Sequence, residues 1–294
     1  MLIWEGIRRM VKKKNVSGYG QGGVDVVMSV DQVAKEAAAI SARAPKAKDL
    51  EKLTKSEPLL SIKNLKAGYG KMEILHDFNL FISEGQSLCL IGPNGAGKST
   101  VLHSIFGFTN IFSGNITIGG KDITNLTPNQ KLSEAGIAYI LQDKSVFPQM
   151  TVEENLLMGG FLKNKPSEAK EATEMVFDKY ERLAARRNKP AGVLSGGERR
   201  LLEISRALVM QPQILLVDEP SIGLEPRFID MVFGILDDLQ KKDGKTIIMV
   251  EQNAKKGLSF ADIGYVLVSG ETAIAETGDN VLSNPAVGRL FLGG

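Results

Sequence analysis

The sequence predicts an α/β fold: a mixed sheet with flanking helices, a small antiparallel β part and an inserted helical subdomain. Three observations carry this expectation. Ser87-Leu-Cys-Leu-Ile91 is a short apolar run suited to a buried parallel strand, and it leads directly into a glycine-rich loop and a helix. Ile214-Leu-Leu-Val217 is a second such run, and it ends in two adjacent carboxylates. Between them, Thr151 to Tyr180 has helical texture, opened by Thr151-Val-Glu-Glu154, a capping box.

The chain has 294 residues, 43% of them hydrophobic, enough for a substantial core and about two domains by length. No run approaches the roughly 18 apolar residues that cross a bilayer, and the N-terminus lacks the apolar stretch and cleavage site of a secretory signal. A cytosolic location is expected. The single cysteine, Cys89, excludes an internal disulfide and sits where a small core residue would. Residues 1–57 carry 11 Lys/Arg against 7 Asp/Glu, leaving 25 against 27 for residues 58–294. Such a body has no global basic surface, zinc spacing or aromatic RNA signature, so nucleic acid is not an expected partner.

Residues 1–57 read as an N-terminal extension of unassigned role. Leu2, Ile3, Ile7, Met10 and Val11 recur at helical spacing beside Trp4, opposite Arg8, Arg9, Lys12, Lys13 and Lys14. The segment either lies on an anionic membrane surface or is a solvated tail, or it precedes the true start of translation. Gly18 to Gly23 is a flexible link. Asp31 to Arg43 is an Ala-rich helix with Asp31 as N-cap, stopped by Pro45, and Lys46 to Glu57 is charged and linker-like.

From Leu59 short strands are expected: Leu59 to Leu65, Ile74 to Ile82, then the strand ending at Ile91. Between the first two lies Tyr69 with a glycine on either side. Its ring either stacks on a nucleobase or is simply an exposed turn tyrosine. Gly92 to Thr100 reads GPNGAGKST and fits G-x-x-x-x-G-K-[ST], the P-loop pattern. Gly92, Gly95 and Gly97 let successive N–H groups point at one spot, with Pro93, Asn94, Ala96 and Thr100 completing the cradle at a helix N-terminus. Lys98 neutralises the β- and γ-phosphates and Ser99 offers a hydroxyl to Mg²⁺. The loop alone does not say which nucleotide it holds.

Asn115 to Ile118 and Gly136 to Leu141 are strand-like, and Gln142 ends the second, where its carbonyl oxygen can hold Mg²⁺ or its water. The helical subdomain then runs from about 151 to 195. Leu194-Ser-Gly-Gly-Glu198 opens a helix whose apolar face is Leu201, Leu202, Ile204, Ala207 and Leu208. Ser195 to Glu198 is a capping box, and that alone accounts for both side chains. Ser195, Gly196 and Gly197 also present a hydroxyl and bare N–H groups at a positive helix end, a second anion surface. One nucleotide does not obviously reach both surfaces of a monomer, which points to binding in trans across a head-to-tail dimer. Asp218 and Glu219 at the end of Ile214–Val217 need cations or partners. Asp218 is expected in the Mg²⁺ shell, and Glu219 is placed to take a proton from an attacking water.

The P-loop, Gln142, LSGGE at 194–198 and ILLVDEP at 214–220, in that order, together resemble the nucleotide-binding domain of ABC transporters over about residues 58–294. The resemblance implies a P-loop NTPase core of ABC type and ATP with Mg²⁺ as its ligands. It further implies Tyr69 as the adenine-stacking residue, Gln142 as the Q-loop, Ser195 to Glu198 as the signature clasping ATP on the partner, and Ser221 to Pro226 as the D-loop. TVEENLLMGG at 151–160, DEPSIGLEP at 218–226, IIMVEQNA at 247–254 and the terminal GRLFLGG are similar to the ATPase subunits of branched-chain amino-acid importers. That likeness implies a second ATP-binding subunit, identical or different, two membrane permeases and, indirectly, a periplasmic binding protein, with this chain on the inner face of the membrane. Urea or other small amides are alternative cargo, and a soluble non-transport ABC ATPase is an alternative role. In ABC ATPases the switch position after Ile247–Val250 is usually His. This chain has Glu251-Gln252-Asn253 there, and its two histidines, His76 and His103, lie elsewhere. Gln252 can donate to the γ-phosphate without carrying charge, so a weaker contact is expected.

Overall fold

The computed structural model describes residues 45–142 and 145–291. The basic amphipathic segment, the Gly-rich link and the Asp31–Arg43 helix lie outside the described residues. The charged stretch expected to be a linker instead contains helix α1 (Ala47–Glu51), whose Leu50 is buried in the core. Leu50 and Leu53, two leucines among charges, are too few to show a period, yet they anchor the segment. Gln86 Nε2 donates to Leu53 O at 3.2 Å and Lys55 pairs with Asp262 at 2.6 Å, so contact with the body begins before residue 58.

Strands β1 (Pro58–Tyr69) and β2 (Met72–Ser83) form a hairpin longer than the apolar runs indicated. A Cβ at Gly68 would lie 1.9 Å from Met72 O, so only glycine lets the two strands meet this closely. Tyr69 therefore ends a strand instead of sitting in the turn. Next come β3 (Ser87–Ile91), α2 (Lys98–Phe106), β4 (Asn110–Ile118) and β5 (Lys121–Asp122). The first sheet is antiparallel, in the order β2-β1-β4-β5.

The chain continues through α3 (Pro128–Ser133) and β6 (Ile137–Ile140) into the helical subdomain, α4 (Val152–Gly159), α5 (Pro166–Lys179) and α6 (Glu181–Ala184). It returns by α7 (Gly196–Leu208) to β7 (Ile214–Asp218), α8 (Pro226–Lys241) and β8 (Thr246–Val250). The rest is α9 (Ala254–Phe260), β9 (Ile263–Val268), β10 (Glu271–Thr277), α10 (Gly278–Ser283) and α11 (Pro285–Phe291). The second sheet runs β10-β9-β3-β8-β7-β6, parallel except for β10.

Every residue of β3, β7 and β8 is buried, because both sheet faces are covered. Alternation divides the cover: Leu88 and Leu90 join the cluster with α2 and the first sheet, while Cys89 and Ile91 join that of α8 and α9. The subdomain has its own apolar cluster, including Val152, Leu156, Val176, Phe177, Leu183 and Leu202. Loops leaving the carboxyl ends of β3, β6, β7 and β8 converge, and the candidate P-loop residues, Gln142, Glu219 and Gln252 lie on or next to them.

Candidate nucleotide-binding and catalytic site

The P-loop spans the end of β3 and the start of α2. Gly92, Gly95 and Gly97 have φ of 149°, 81° and 99°, values that L side chains rarely adopt. A Cβ on Gly92 would come within 2.3 Å of Leu267 O on β9. The loop is tied to the neighbouring turn by Gly270 N donating to Ala96 O at 2.9 Å. Pro93, Asn94 and Gly95 are exposed at its tip, while Ala96 and Thr100 are buried at its base. Lys98 is buried, with its ammonium donating to Gly92 O at 2.9 Å and Pro93 O at 3.0 Å. Burial lowers its pKa, opposed by the nearby carboxylates of Glu219 and Asp218.

Those carboxylates arrive on β7, which pairs with β8 beside β3. Asp218 is buried. Its Oδ1 accepts from Ser99 Oγ at 3.4 Å and its Oδ2 from Tyr139 OH at 2.8 Å. Glu219 has φ 43°, a left-handed turn fixed by its N–H donating to Val250 O at 2.9 Å. Its Oε2 accepts from Gln142 Nε2 at 2.9 Å. Burial and the adjacent Asp218 raise the pKa of Glu219, while Lys98 works against them. Lys98, Ser99, Gln142, Asp218 and Glu219, spread over more than a hundred residues of chain, thus share one site.

Three side chains that tie the candidate site together were not singled out by sequence reasoning. Arg200, 4% exposed, sends Nη1 to Leu141 O at 2.7 Å and Nη2 to Asp218 O at 3.5 Å, and pairs with Glu203 at 2.8 Å. It ties α7 to the strand ends that carry Gln142 and Glu219. Its signal was readable: Arg200 stands four residues before Ile204, a charge on the apolar stripe of α7. Tyr139 gave no signal beyond its strand. Glu251, 2% exposed, accepts from Ser221 Oγ at 2.7 Å and from Asn253 N at 2.8 Å, joining the segments expected as D-loop and switch. Gln252, next to it, is exposed.

Tyr69 is 44% exposed and its hydroxyl meets His103 Nδ1 at 2.5 Å, the two rings edge to face. Burial lowers the His103 pKa, so the neutral ring can accept from the phenol. Ser195 and Glu198 form the expected capping box. Ser195 N donates to Glu198 Oε2 at 2.9 Å, Glu198 N donates to Ser195 Oγ at 3.3 Å, and Arg186 lies 3.5 Å from the Glu198 carboxylate. Ser195 and Gly196 face solvent. Gly197 is buried because a Cβ there would strike the Phe228 ring at 2.3 Å.

The donor set suits a hard divalent cation. Ser99 Oγ and Asp218 Oδ1 converge, and Gln142, whose amide nitrogen serves Glu219, keeps its carbonyl oxygen. Among the described residues no group of three or more His, Cys, Asp or Glu is arranged to hold a metal. A cation here would complete its shell with phosphate and water oxygens, as Mg²⁺ does. No helix among the described residues is long and apolar enough to cross a membrane.

Comparison with known proteins identifies the family. Residues 75–222 match the ABC transporter family. The high-affinity branched-chain amino acid transport ATP-binding protein BraG of Pseudomonas aeruginosa is 40% identical, over 80% of this chain and 100% of that one. The probable branched-chain amino acid transport ATP-binding protein LivF of Archaeoglobus fulgidus is 37% identical, over 80% and 99%. The ADP conformation of MJ1267, an ATP-binding cassette of an ABC transporter, superposes with a TM-score of 0.71 at 30% identity, covering 81% of this chain and 100% of that one. The chain belongs to the ABC transporter family, as an ATP-binding subunit that hydrolyses ATP.

Proposed function

We propose that this chain energises an importer of branched-chain, hydrophobic amino acids. It works as one of a pair of ATP-binding subunits on the cytoplasmic face of the membrane, beneath two permeases fed by a periplasmic binding protein. The observation that carries the motor reading is the junction of Gln142, Glu219, Asp218, Ser99 and Lys98 at the carboxyl ends of the parallel strands. The cargo rests on likeness to BraG and LivF.

ATP lays its adenine against the exposed ring of Tyr69 and its phosphates on the N–H groups from Gly92 to Thr100. Lys98 exchanges the carbonyls of Gly92 and Pro93 for β- and γ-phosphate oxygens. Ser99, Asp218 and the carbonyl oxygen of Gln142 would hold Mg²⁺, which when bound neutralises charge building on the phosphates. Glu219 accepts the proton of the attacking water, and Gln142, bonded to it, aims its carboxylate. Ser195, Gly196, Gly197 and Glu198 of the second subunit close over the γ-phosphate, where Gln252 adds an uncharged donor.

A cavity of about 340 Å³ between the sheet and the helical subdomain, lined mostly by apolar side chains but also by Glu203 and Arg206, supports docking of a permease. Phe147, Met158 and Phe161 line it and remain solvent-exposed, Phe161 by 78%. A patch of this kind marks a protein-binding surface.

The test is steady-state ATPase activity of wild type and Glu219→Gln across protein concentration, with sizing in ATP·Mg. Wild-type activity that climbs faster than concentration, and a variant that is inactive yet dimeric with ATP, are expected. A variant that still hydrolyses ATP removes Glu219 as the base. Activity strictly proportional to concentration, with no dimer from either protein, removes self-pairing.

A further inference from the structure

Asp218 is a strand-end carboxylate on two rotatable bonds, yet neither oxygen is at liberty. Oδ1 faces Ser99 Oγ at 3.4 Å and Oδ2 accepts from Tyr139 OH at 2.8 Å. The partner on the second side comes from β6, which lies beside β7 in parallel register, Tyr139 opposite Leu216. Residues two apart on a strand share a face, so Tyr139 and Asp218 project from the same side of adjacent strands.

The ring that carries this hydroxyl is held from three directions. Phe106 stacks on it with centroids 5.5 Å apart and planes at 30°, and His103 and Phe108 pack edge-on at 5.8 and 6.0 Å. Rotating the phenol away would unpack all three rings. The reaction described above gives Tyr139 no task, and a phenylalanine would fill the same apolar space.

We propose that Tyr139 is a positioning residue: its hydroxyl holds Asp218 Oδ2 so that Oδ1 stays turned toward Ser99, setting two oxygens of the metal site in advance. The inference rests on the Mg²⁺ reading of Ser99 and Asp218 given above. Without the phenol, the carboxylate swings over a wider arc, and metal binding must restrict it. Metal affinity falls, while metal-free nucleotide affinity, governed by the P-loop and Tyr69, does not.

The experiment compares the full chain with Tyr139→Phe, which keeps the ring. Mn²⁺ binding is followed by electron paramagnetic resonance with a saturating non-hydrolysable ATP analogue. Nucleotide affinity is measured separately with a fluorescent ATP analogue in chelator, and folding by melting temperature. Loss of an outer hydrogen bond to a metal ligand should weaken Mn²⁺ binding by about tenfold or more, with metal-free nucleotide affinity unchanged within about twofold. Equal Mn²⁺ affinity in both proteins overturns the proposal and leaves the ATPase reading intact. A parallel loss of nucleotide affinity also overturns it, since that marks Tyr139 as packing support only. Failure of the wild type to bind Mn²⁺ with the analogue removes the metal reading and this proposal together.

Discussion

Lys131 of α3 is fully buried, and its ammonium donates to Ser104 O at 3.3 Å. Desolvation dominates: its pKa falls from 10.5 to about 8, with attraction to Asp122 only partly opposing the shift. Below about pH 8 the folded protein carries the full penalty of a buried charge. Between about 8 and 10.5 the unfolded chain binds more protons, so stability rises with pH and the penalty vanishes above that window. Lys131→Met should raise unfolding free energy at pH 7 by up to about 3 kcal/mol and lose this rise. Denaturant titrations of both proteins from pH 7 to 10.5 measure the difference; parallel curves would contradict it. Nothing in the sequence marks Lys131, because a lone lysine in a polar stretch looks solvated until the C-terminal end of α2 is seen to pack against it. The Ser195 capping box, by contrast, was fully legible, since both partners lie within one turn.

α4 shows how a short motif organises a longer loop. Thr151 caps it, and Asn155, one turn in, is buried with its amide nitrogen donating to Phe147 O, Met150 O and Thr151 O. Its Oδ1 accepts from Phe147 N at 2.8 Å. The side chain is a template for residues 147–151, the segment that leads from Gln142 into the helical subdomain. Asn155→Ala leaves Phe147 N without its acceptor and takes one of two donors from each of the three carbonyls, which should destabilise the protein by about 1–3 kcal/mol. The thermal midpoint should drop, and proteolytic cleavage near Phe147 should become faster; unchanged cleavage with an unchanged midpoint would refute the template role. The cap was readable from spacing, and so were the three buried strands, whose apolar runs are unbroken because helices cover both faces. The ties of Tyr139 and Glu251 were not readable, and Arg200 showed only as a charge on an apolar stripe, without its partners. Each joins segments distant in sequence, and only the strand order puts β6 beside β7 and β8 beside β3.

Among the described residues two surfaces bear on the partners proposed above: the largely apolar cavity beside Phe161 and the exposed N-terminus of α7. If the cavity receives a permease, Phe161→Asp should leave the ATPase activity of the isolated chain unchanged while abolishing its stimulation by reconstituted permease; retained stimulation would exclude this surface. The second surface concerns symmetry. Ser195 and Glu198 bond to each other and Glu198 also pairs with Arg186, while Lys98 is bonded within its own P-loop. A head-to-tail pair would place the Lys98 of one copy and the Ser195 of the other on the same ATP. Lys98→Ala alone and Ser195→Arg alone should then each be inactive, since in a homodimer every site contains the lesion. Mixed in equal amounts they should recover activity, because a heterodimer has one site built from the unaltered Lys98 of one variant and the unaltered Ser195 of the other. With random pairing and independent sites, recovery should approach roughly a quarter of wild type. No recovery, with heterodimers verified by differential tagging, would mean that ATP is held by one copy alone or that both sites must fire together. Recovery only when a different ATP-binding subunit is added would identify the natural pair as unlike.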